Sequence, residues 1–433
     1  MKLTLLAALA AATVTLLVPS TSSASPYARF GVQDDAYLSA GPALQGRLDA
    51  LDGMGAKLVR YTVNWRQIAV RKPRKASNPN DPAYDWANAD AVLKGLHARK
   101  IDVIVTLYGT PAWANGGLGA NGVPRSKWSL SAFTLAVARR YPWVRMWEVW
   151  NEPNLRRFLN PNSPALYVGR LLNPTVAVLH AARAGNRVAG GATSPRATPS
   201  GLSPVAFMRG MRAAHARFDA YSHHPYAVTR HERPNGFYGN TCRYCKGVLT
   251  LANLPLLLRE VRRDFGTKRI WLTEYGYQTN PPDRSGVSRS VQAQYLAEAA
   301  LRAKNARFVD VLIHFVLRDE PQLSGWQSGF FTAAGVVKPS LNSFMLPIAQ
   351  AARYGLRTTI WGQVRPGFGK RLYRLQRLAN GRWVSIGHPA VTNIRGAYTR
   401  VIRANKGTRL RIVYYPGGIG SSQRVSSRPI VVH

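Results

Sequence analysis

The chain has 433 residues, 46% of them apolar and 10% aromatic. That is enough to bury a large core, and it excludes a disordered or collagen-like chain. Against 20 Asp and Glu stand 59 Lys and Arg, a formal charge of +39. Such a field suits acidic polymers, anionic surfaces or nucleic acid, or it reflects only Arg spent on solvated faces.

In chain order, Lys2 precedes an apolar stretch from Leu3 to Val18 and a small-residue segment ending at Ala24. This pattern predicts a secretory signal peptide over 1–25 and an extracellular, soluble protein after its removal. No later stretch approaches the ~18 uninterrupted apolar residues of a membrane span. Short runs rich in Val, Ile and aromatics follow at Ala28–Asp34, Lys57–Trp65, Ile101–Tyr108, Val144–Asn151, Arg187–Thr193, Phe218–Tyr226, Arg269–Tyr277 and Phe308–Leu317. Between and after them, helical periodicity marks Ala87–Arg99, Ser131–Arg140, Leu166–Ala182, Pro204–His215, Leu254–Phe265, Val291–Asn305 and Leu341–Tyr354. Pro174 is expected to kink or split the third of these. Strands that are apolar throughout predict a parallel sheet covered on both faces. Eight strand–helix units predict an α/β fold, a (β/α)8 TIM barrel, over residues 26–355.

Past residue 355 the pattern turns to short period-two runs, with Asn380-Gly381 as a hairpin signal. This predicts a small all-β sandwich over 356–433, which resembles immunoglobulin-like modules. These residues include 15 Lys and Arg and no Asp or Glu. The module either grips carboxylate or phosphate groups of an anionic polysaccharide or cell-envelope polymer, or is simply a soluble basic face. Cys242 and Cys245 are the two cysteines of the chain. Without a second pair a zinc ribbon is unsupported, and in an exported protein a small disulfide between them is expected.

Catalytic groups of such a barrel sit at the carboxyl ends of strands. The fourth strand ends Met146-Trp-Glu-Val-Trp-Asn-Glu-Pro-Asn154 and the seventh Ile270-Trp-Leu-Thr-Glu-Tyr-Gly-Tyr277. Alternation puts Glu148 and Trp150 in phase with Glu152, but Glu152 falls at the tip, beside a Pro that stops pairing. Glu152 and Glu274 are therefore the candidate catalytic pair. Cleaving a glycosidic bond takes two facing carboxyls, one protonated to assist the leaving oxygen and one ionised, and two facing carboxyls raise one pKa. That chemistry calls for neither a metal nor a cofactor.

Trp150-Asn-Glu-Pro153 together with Thr273-Glu-Tyr-Gly276 resembles clan A of the glycoside hydrolases, retaining (β/α)8 enzymes that include family 5 and family 39. The resemblance spans roughly residues 28–350. It implies that Glu152 is the acid/base, Glu274 the nucleophile, and Asn151 the partner of the sugar 2-hydroxyl. It further implies that Arg60 and Tyr226 support the nucleophile, with His224 as the matching histidine or else a satisfied core histidine. Two departures stand out: Tyr108-Gly-Thr-Pro-Ala-Trp113 lacks a third-strand histidine, and His314-Phe-Val-Leu-Arg-Asp-Glu320 lacks an eighth-strand tryptophan. Trp326 or Phe315 is a substitute for the latter.

Trp65, Trp113 and Trp326, with Trp150 and Tyr277, either stack on sugar faces or pack in the core. The loop Arg71–Asp81 offers four cations at the rim, to an acidic substrate or to water alone. No GxSxG, GxxxxGK[ST] or HExxH motif is present, so serine-hydrolase, NTPase and zincin readings have no support. The sequence thus predicts a secreted retaining O-glycosidase. Its rivals are a carbohydrate-binding barrel without turnover and, through charge alone, a nonspecific binder of nucleic acid.

Overall fold

The computed structural model describes Ser25 and residues 28–236, 247–419 and 421–433. The signal-peptide expectation, apart from Ser25, and the Cys242–Cys245 pair lie outside the described residues.

Eight parallel strands close into a barrel: β1 (Arg29–Gln33), β2 (Leu58–Asn64), β3 (Asp102–Tyr108), β4 (Met146–Val149), β5 (Arg187–Thr193), β6 (Ala220–His223), β7 (Arg269–Tyr275) and β8 (Val309–Phe315). Each neighbours the next in sequence, and β8 pairs with β1. The helices that follow them are α1 (Leu44–Gly53), α2 (Ala87–Ala98), α3 (Trp128–Arg140), α4 (Asn173–Ala182), α5 (Pro204–Ala213), α6 (Leu254–Phe265), α7 (Arg289–Asn305) and α8 (Pro339–Met345). Valine, leucine and aromatic side chains from strands and helices share one core between the two layers, so every strand is covered on its outer side.

Inside, the barrel changes character along its axis. Leu58, Ile104, Ala189, Ala220, Trp271, Val311 and Ile313 form an apolar floor. One step nearer the carboxyl ends lie Arg60, Thr106, Glu148, Ser222 and Thr273, all buried. Strand alternation turns every second side chain inward, so the residue two places beyond a floor residue, such as Arg60 after Leu58, enters this polar layer.

Two expectations are refined by local chemistry. Before α4 the chain runs through a short helical turn (Pro164–Leu166) and a π-helical turn (Tyr167–Leu172). Pro174 then occupies the first turn of α4, where its missing N–H costs nothing, and the wider π turn absorbs its ring. The helix expected over Leu341–Tyr354 ends at Met345, because Pro347 bars its predecessor from helical geometry. The segment beyond it is a strand, β9 (Ile348–Tyr354).

β9 opens the C-terminal β region, so the all-β segment starts ahead of residue 356. It pairs antiparallel with β10 (Arg357–Gln363), which pairs with β13 (Ala397–Arg403). A second antiparallel sheet contains β11 (Leu372–Ala379), β12 (Arg382–Ser385) and β14 (Arg409–Tyr414). The sheets curl around one core that includes Ile360, Tyr373, Leu375, Tyr398, Leu410 and Ile412. Asn380 and Gly381, with φ of 49° and 74°, make the two-residue turn between β11 and β12. The region leans on the barrel through Arg365, whose guanidinium lies 4.5 Å from the Phe30 ring and 4.4 Å from that of Phe344.

The segment between β8 and α8 lies over the carboxyl end of the barrel and is held by a buried ion pair. Lys338 Nζ donates to Asp319 Oδ1 at 2.7 Å, Thr279 Oγ1 at 2.8 Å and the Gln327 carbonyl at 2.9 Å. The side chains of Lys338 and Asp319 are 0% and 1% exposed. Removing one partner of such a pair strands the other charge. Lys338→Met is therefore expected to cost about 3–5 kcal/mol in denaturant unfolding, with much of the loss recovered in the Lys338→Met/Asp319→Leu double variant.

Candidate active site

The turn after β4 sets the site. Trp150 and Glu152 both occupy left-handed backbone, with φ of 76° and 39°, a conformation costing non-glycine residues roughly 1–3 kcal/mol each. Hydrogen bonds hold it there. The Trp150 N–H donates to the Leu107 carbonyl at 2.9 Å, its indole N–H to the Phe158 carbonyl at 2.8 Å, and the Glu152 N–H to the Ala192 carbonyl at 2.9 Å. The turn breaks the strand alternation that would have put Glu148, Trp150 and Glu152 on one face. Glu148 stays in the polar layer, Trp150 packs in the core with no exposure, and Glu152 reaches the barrel mouth.

Glu274, near the end of β7, meets it there. One ligand atom each from Glu152, His224 and Glu274 lie within 4.8 Å of one another. The side chains of Glu152 and Glu274 keep 13% and 10% exposure. Such a trio could also hold a divalent cation. Gly276, which closes the Thr-Glu-Tyr-Gly run, has a packing reason: a Cβ there would lie 2.6 Å from the Phe315 carbonyl, so glycine lets the ends of β7 and β8 close up.

Each carboxylate has its own set of partners. Arg60 donates to Glu274 Oε1 and to Glu148 Oε2, both at 2.6 Å, to Asn151 Oδ1 at 2.9 Å, and to Gln33. Tyr226 donates to Glu274 Oε2 at 3.0 Å. His224 Nδ1 lies 3.0 Å from Glu152 Oε1 and 3.5 Å from Glu274 Oε2. The His224 Nε2 is buried without a partner among the described residues. Glu148 also accepts from Thr106 at 2.8 Å and from Ser222.

The electrostatics follow from this packing. Burial by itself would raise the Glu148 pKa, but the Arg60 guanidinium, joined by the His224 charge and the Ser222 and Thr273 hydroxyls, holds the carboxyl below 4.5. Burial would lower the His224 pKa, yet the Glu274 and Glu152 charges hold it above 6.5. Its neighbour His223 is the opposite case. Burial pulls that pKa down to about 3, and the ring is a neutral core histidine bound to Thr193 and the Leu249 carbonyl. Burial, then the Glu274 charge, raise the Tyr226 phenol well above 10, so it stays protonated and donates.

Of the residues singled out in the sequence, Glu152, Glu274, Asn151, Arg60, His224 and Tyr226 converge at this point. Trp326 joins them: its ring stacks on Tyr226 at 4.9 Å and meets Phe315 edge-on at 5.1 Å. Trp65 does not. It is 0% exposed, stacked on Phe133 at 5.7 Å, and no ring face is open to a sugar. Trp113 is half-buried against Trp65, its N–H bound to the Ala69 carbonyl at 2.7 Å, and Tyr277 is buried. Arg71, Lys72, Arg74 and Lys75 of the rim loop are exposed, and Arg71 donates to the Pro82 carbonyl at 3.0 Å.

Sequence reasoning set Glu148 aside and missed Gln33 and Asp35. Glu148 was legible as an acid two residues from an inward position; the other two carry no motif. Gln33 links Arg60 to Asp35, whose Oδ2 accepts its amide at 3.3 Å. Asp35, Ser39, Asn64, Gln67 and Asn88 line a hollow of about 430 Å³ on the β1–β2 rim.

A closed (β/α)8 barrel with two carboxylates at its mouth, followed by an antiparallel β region, defines the class of molecule. In fold the chain is similar to a family 39 glycoside hydrolase from the gut symbiont Bacteroides cellulosilyticus WH2, with a TM-score of 0.58 at 14% identity over 89% of this chain and 82% of that one. It is also similar to a glucosidase from Croceicoccus marinus, with a TM-score of 0.55 at 12% identity over 87% of this chain and 93% of the other. No family model and no curated protein matches the sequence.

The paired histidines give a direct check. A folded pKa raised above 6.5 means that the His224 proton stabilises the fold fully below pH 6.5, and that this contribution is lost as pH rises through the folded value. By NMR titration His224 is expected to change charge above pH 6.5, and Glu152→Gln should lower its midpoint. An unchanged midpoint would mean that the contact with Glu152 is not electrostatic.

Proposed function

We propose that the chain is a retaining O-glycosidase acting on an oligo- or polysaccharide. The observation that carries this reading is the approach of Glu152 and Glu274, whose nearest ligand atoms fall within 4.8 Å. Carboxyl groups ~5–5.5 Å apart suit a covalent intermediate, whereas ~6.5–9.5 Å leaves room for the water of inversion.

In the first step a Glu274 oxygen attacks the anomeric carbon while Glu152 gives its proton to the departing oxygen, which leaves as an alcohol. Arg60 and Tyr226 keep the Glu274 carboxylate oriented. The Oε2 of Glu152 makes no hydrogen bond among the described residues and is the oxygen open to the leaving group. In the second step Glu152 takes a proton from water as the hydroxide oxygen bonds to the anomeric carbon and releases Glu274. Asn151 spends its carbonyl on Arg60, which leaves its amide N–H groups for a sugar hydroxyl. Trp326 supplies an aromatic wall. Export belongs to the same reading, on the strength of the pattern in residues 1–25.

On a panel of aryl glycosides, Glu274→Gln is expected to abolish turnover. Glu152→Gln should cost about 10²–10⁴-fold on substrates with poor leaving groups and less on activated ones. The first-formed product, followed by NMR, should keep the anomeric configuration of the substrate. An inverted product would refute the double displacement, and polysaccharide binding without turnover of any glycoside would favour a binding protein.

A further inference from the structure

The β region carries a second surface with different chemistry. With no Asp or Glu in residues 356–433, its cations have no carboxylate side chain of their own segment to meet. Three of them surround a concavity. Arg377 of β11, Arg403 at the end of β13 and Arg409 at the start of β14 line a hollow of about 480 Å³, together with Asn405, Thr408 and Leu378, and no acidic residue borders it.

Backbone pairing brings two of these arginines together and sets the third opposite another cation. Arg377 lies opposite Leu410, beside Arg409, and Arg403 lies directly opposite Arg357. Like charges opposed across strands destabilise a sheet by roughly 0.2–1 kcal/mol. The Arg357–Arg403 pair is one such opposition, and an anion beside Arg403 would offset it.

The hollow lies at the end of the β region, where Arg377 is in phase with the core residues Tyr373 and Leu375, and it borders an open sheet face through Leu378 and Arg409. Tyr373, Leu375, Leu410 and Ile412 turn into the core, so the alternate residues Arg374, Gln376, Leu378, Arg409 and Arg411 face outward. Leu378, which lines the hollow, lies opposite the half-buried Trp383. The Arg411 guanidinium sits 4.3 Å from the Trp383 ring and donates to Gln376 at 2.9 Å. The Nε of Arg374 is buried with no partner among the described residues. Burial and the nearby Arg424 charge lower the Arg411 pKa, a cation set that an anionic group would stabilise.

We propose that this hollow and the adjoining Trp383 face form a binding site for an acidic polysaccharide. Its carboxylate or sulfate groups meet Arg377, Arg403 and Arg409, and the apolar faces of its sugar rings meet Leu378 and Trp383. Guanidinium groups pair bidentately with such oxyanions, and an aromatic ring beside them adds the contact that a bare polyanion would not use. The choice of a polysaccharide over other polyanions rests on the glycosidase reading of the barrel.

The test measures binding, which does not depend on turnover, so its failure and that of the catalytic reading are distinguishable. The full chain is titrated at about 0.15 M salt with polygalacturonate, dextran sulfate, neutral dextran and duplex DNA, the first two separating carboxylate from sulfate recognition. One or both acidic glycans should bind and neutral dextran should not. Arg377→Gln/Arg403→Gln/Arg409→Gln should weaken binding roughly tenfold or more, and Trp383→Ala should weaken it independently, with thermal melting confirming that both fold. The charge-matched triple Arg187→Gln/Arg209→Gln/Arg259→Gln, exposed on the barrel, should retain most of the affinity. Equal weakening by that control, DNA binding as tightly as the acidic glycans, or no glycan binding would overturn the proposal.

Discussion

A guanidinium sealed from water must be matched by charge and hydrogen bonds, or the fold loses several kcal/mol. Arg60 meets that condition through Glu148 and Glu274, with Asn151 and Gln33 taking its remaining donors. Four residues, from β1, β4, the turn after β4, and β7, are thereby locked to one planar group on β2. The bidentate, directional donors of Arg suit this, where the compact ammonium of Lys would not. The two carboxylates differ in consequence. Glu148 is saturated by Arg60, Thr106 and Ser222 and buried, so it is a structural anion. Glu274 keeps partial exposure and faces the mouth.

The second carboxylate is placed by strain. The left-handed residues at 150 and 152 end β4 early and swing Glu152 towards His224 and Glu274. The buried indole of Trp150 anchors that turn through its N–H. The aromatic residue beside the acid therefore acts on backbone shape, while the aromatic that reaches the site, Trp326, comes from a distant loop pinned by Lys338 and Asp319.

How much was legible follows from where the information is stored. The eight barrel strands could be read because strands buried on both faces are apolar throughout, and the Asn-Glu-Pro and Thr-Glu-Tyr-Gly runs named the two acids. Trp65 could not be told from a sugar platform, since a ring at a strand end has the same composition whether it faces the groove or, as here, Phe133. Gln33 and Asp35 were invisible because their role comes from contact with Arg60 across strands. The reassigned strand β9 is alanine-rich and locally helix-prone. Pro347 was the signal there, and pairing with β10 decides the outcome.

The assignment of Glu274 as nucleophile is tested most directly by trapping the covalent intermediate. A 2-deoxy-2-fluoro aryl glycoside slows the second step more than the first, so the intermediate accumulates for mass spectrometry of the intact chain and its peptides. The account predicts that the chain gains the mass of one fluoro-sugar, carried by the peptide that contains Glu274. A label on a peptide lacking Glu274, such as the one holding Glu148 and Glu152, would contradict it.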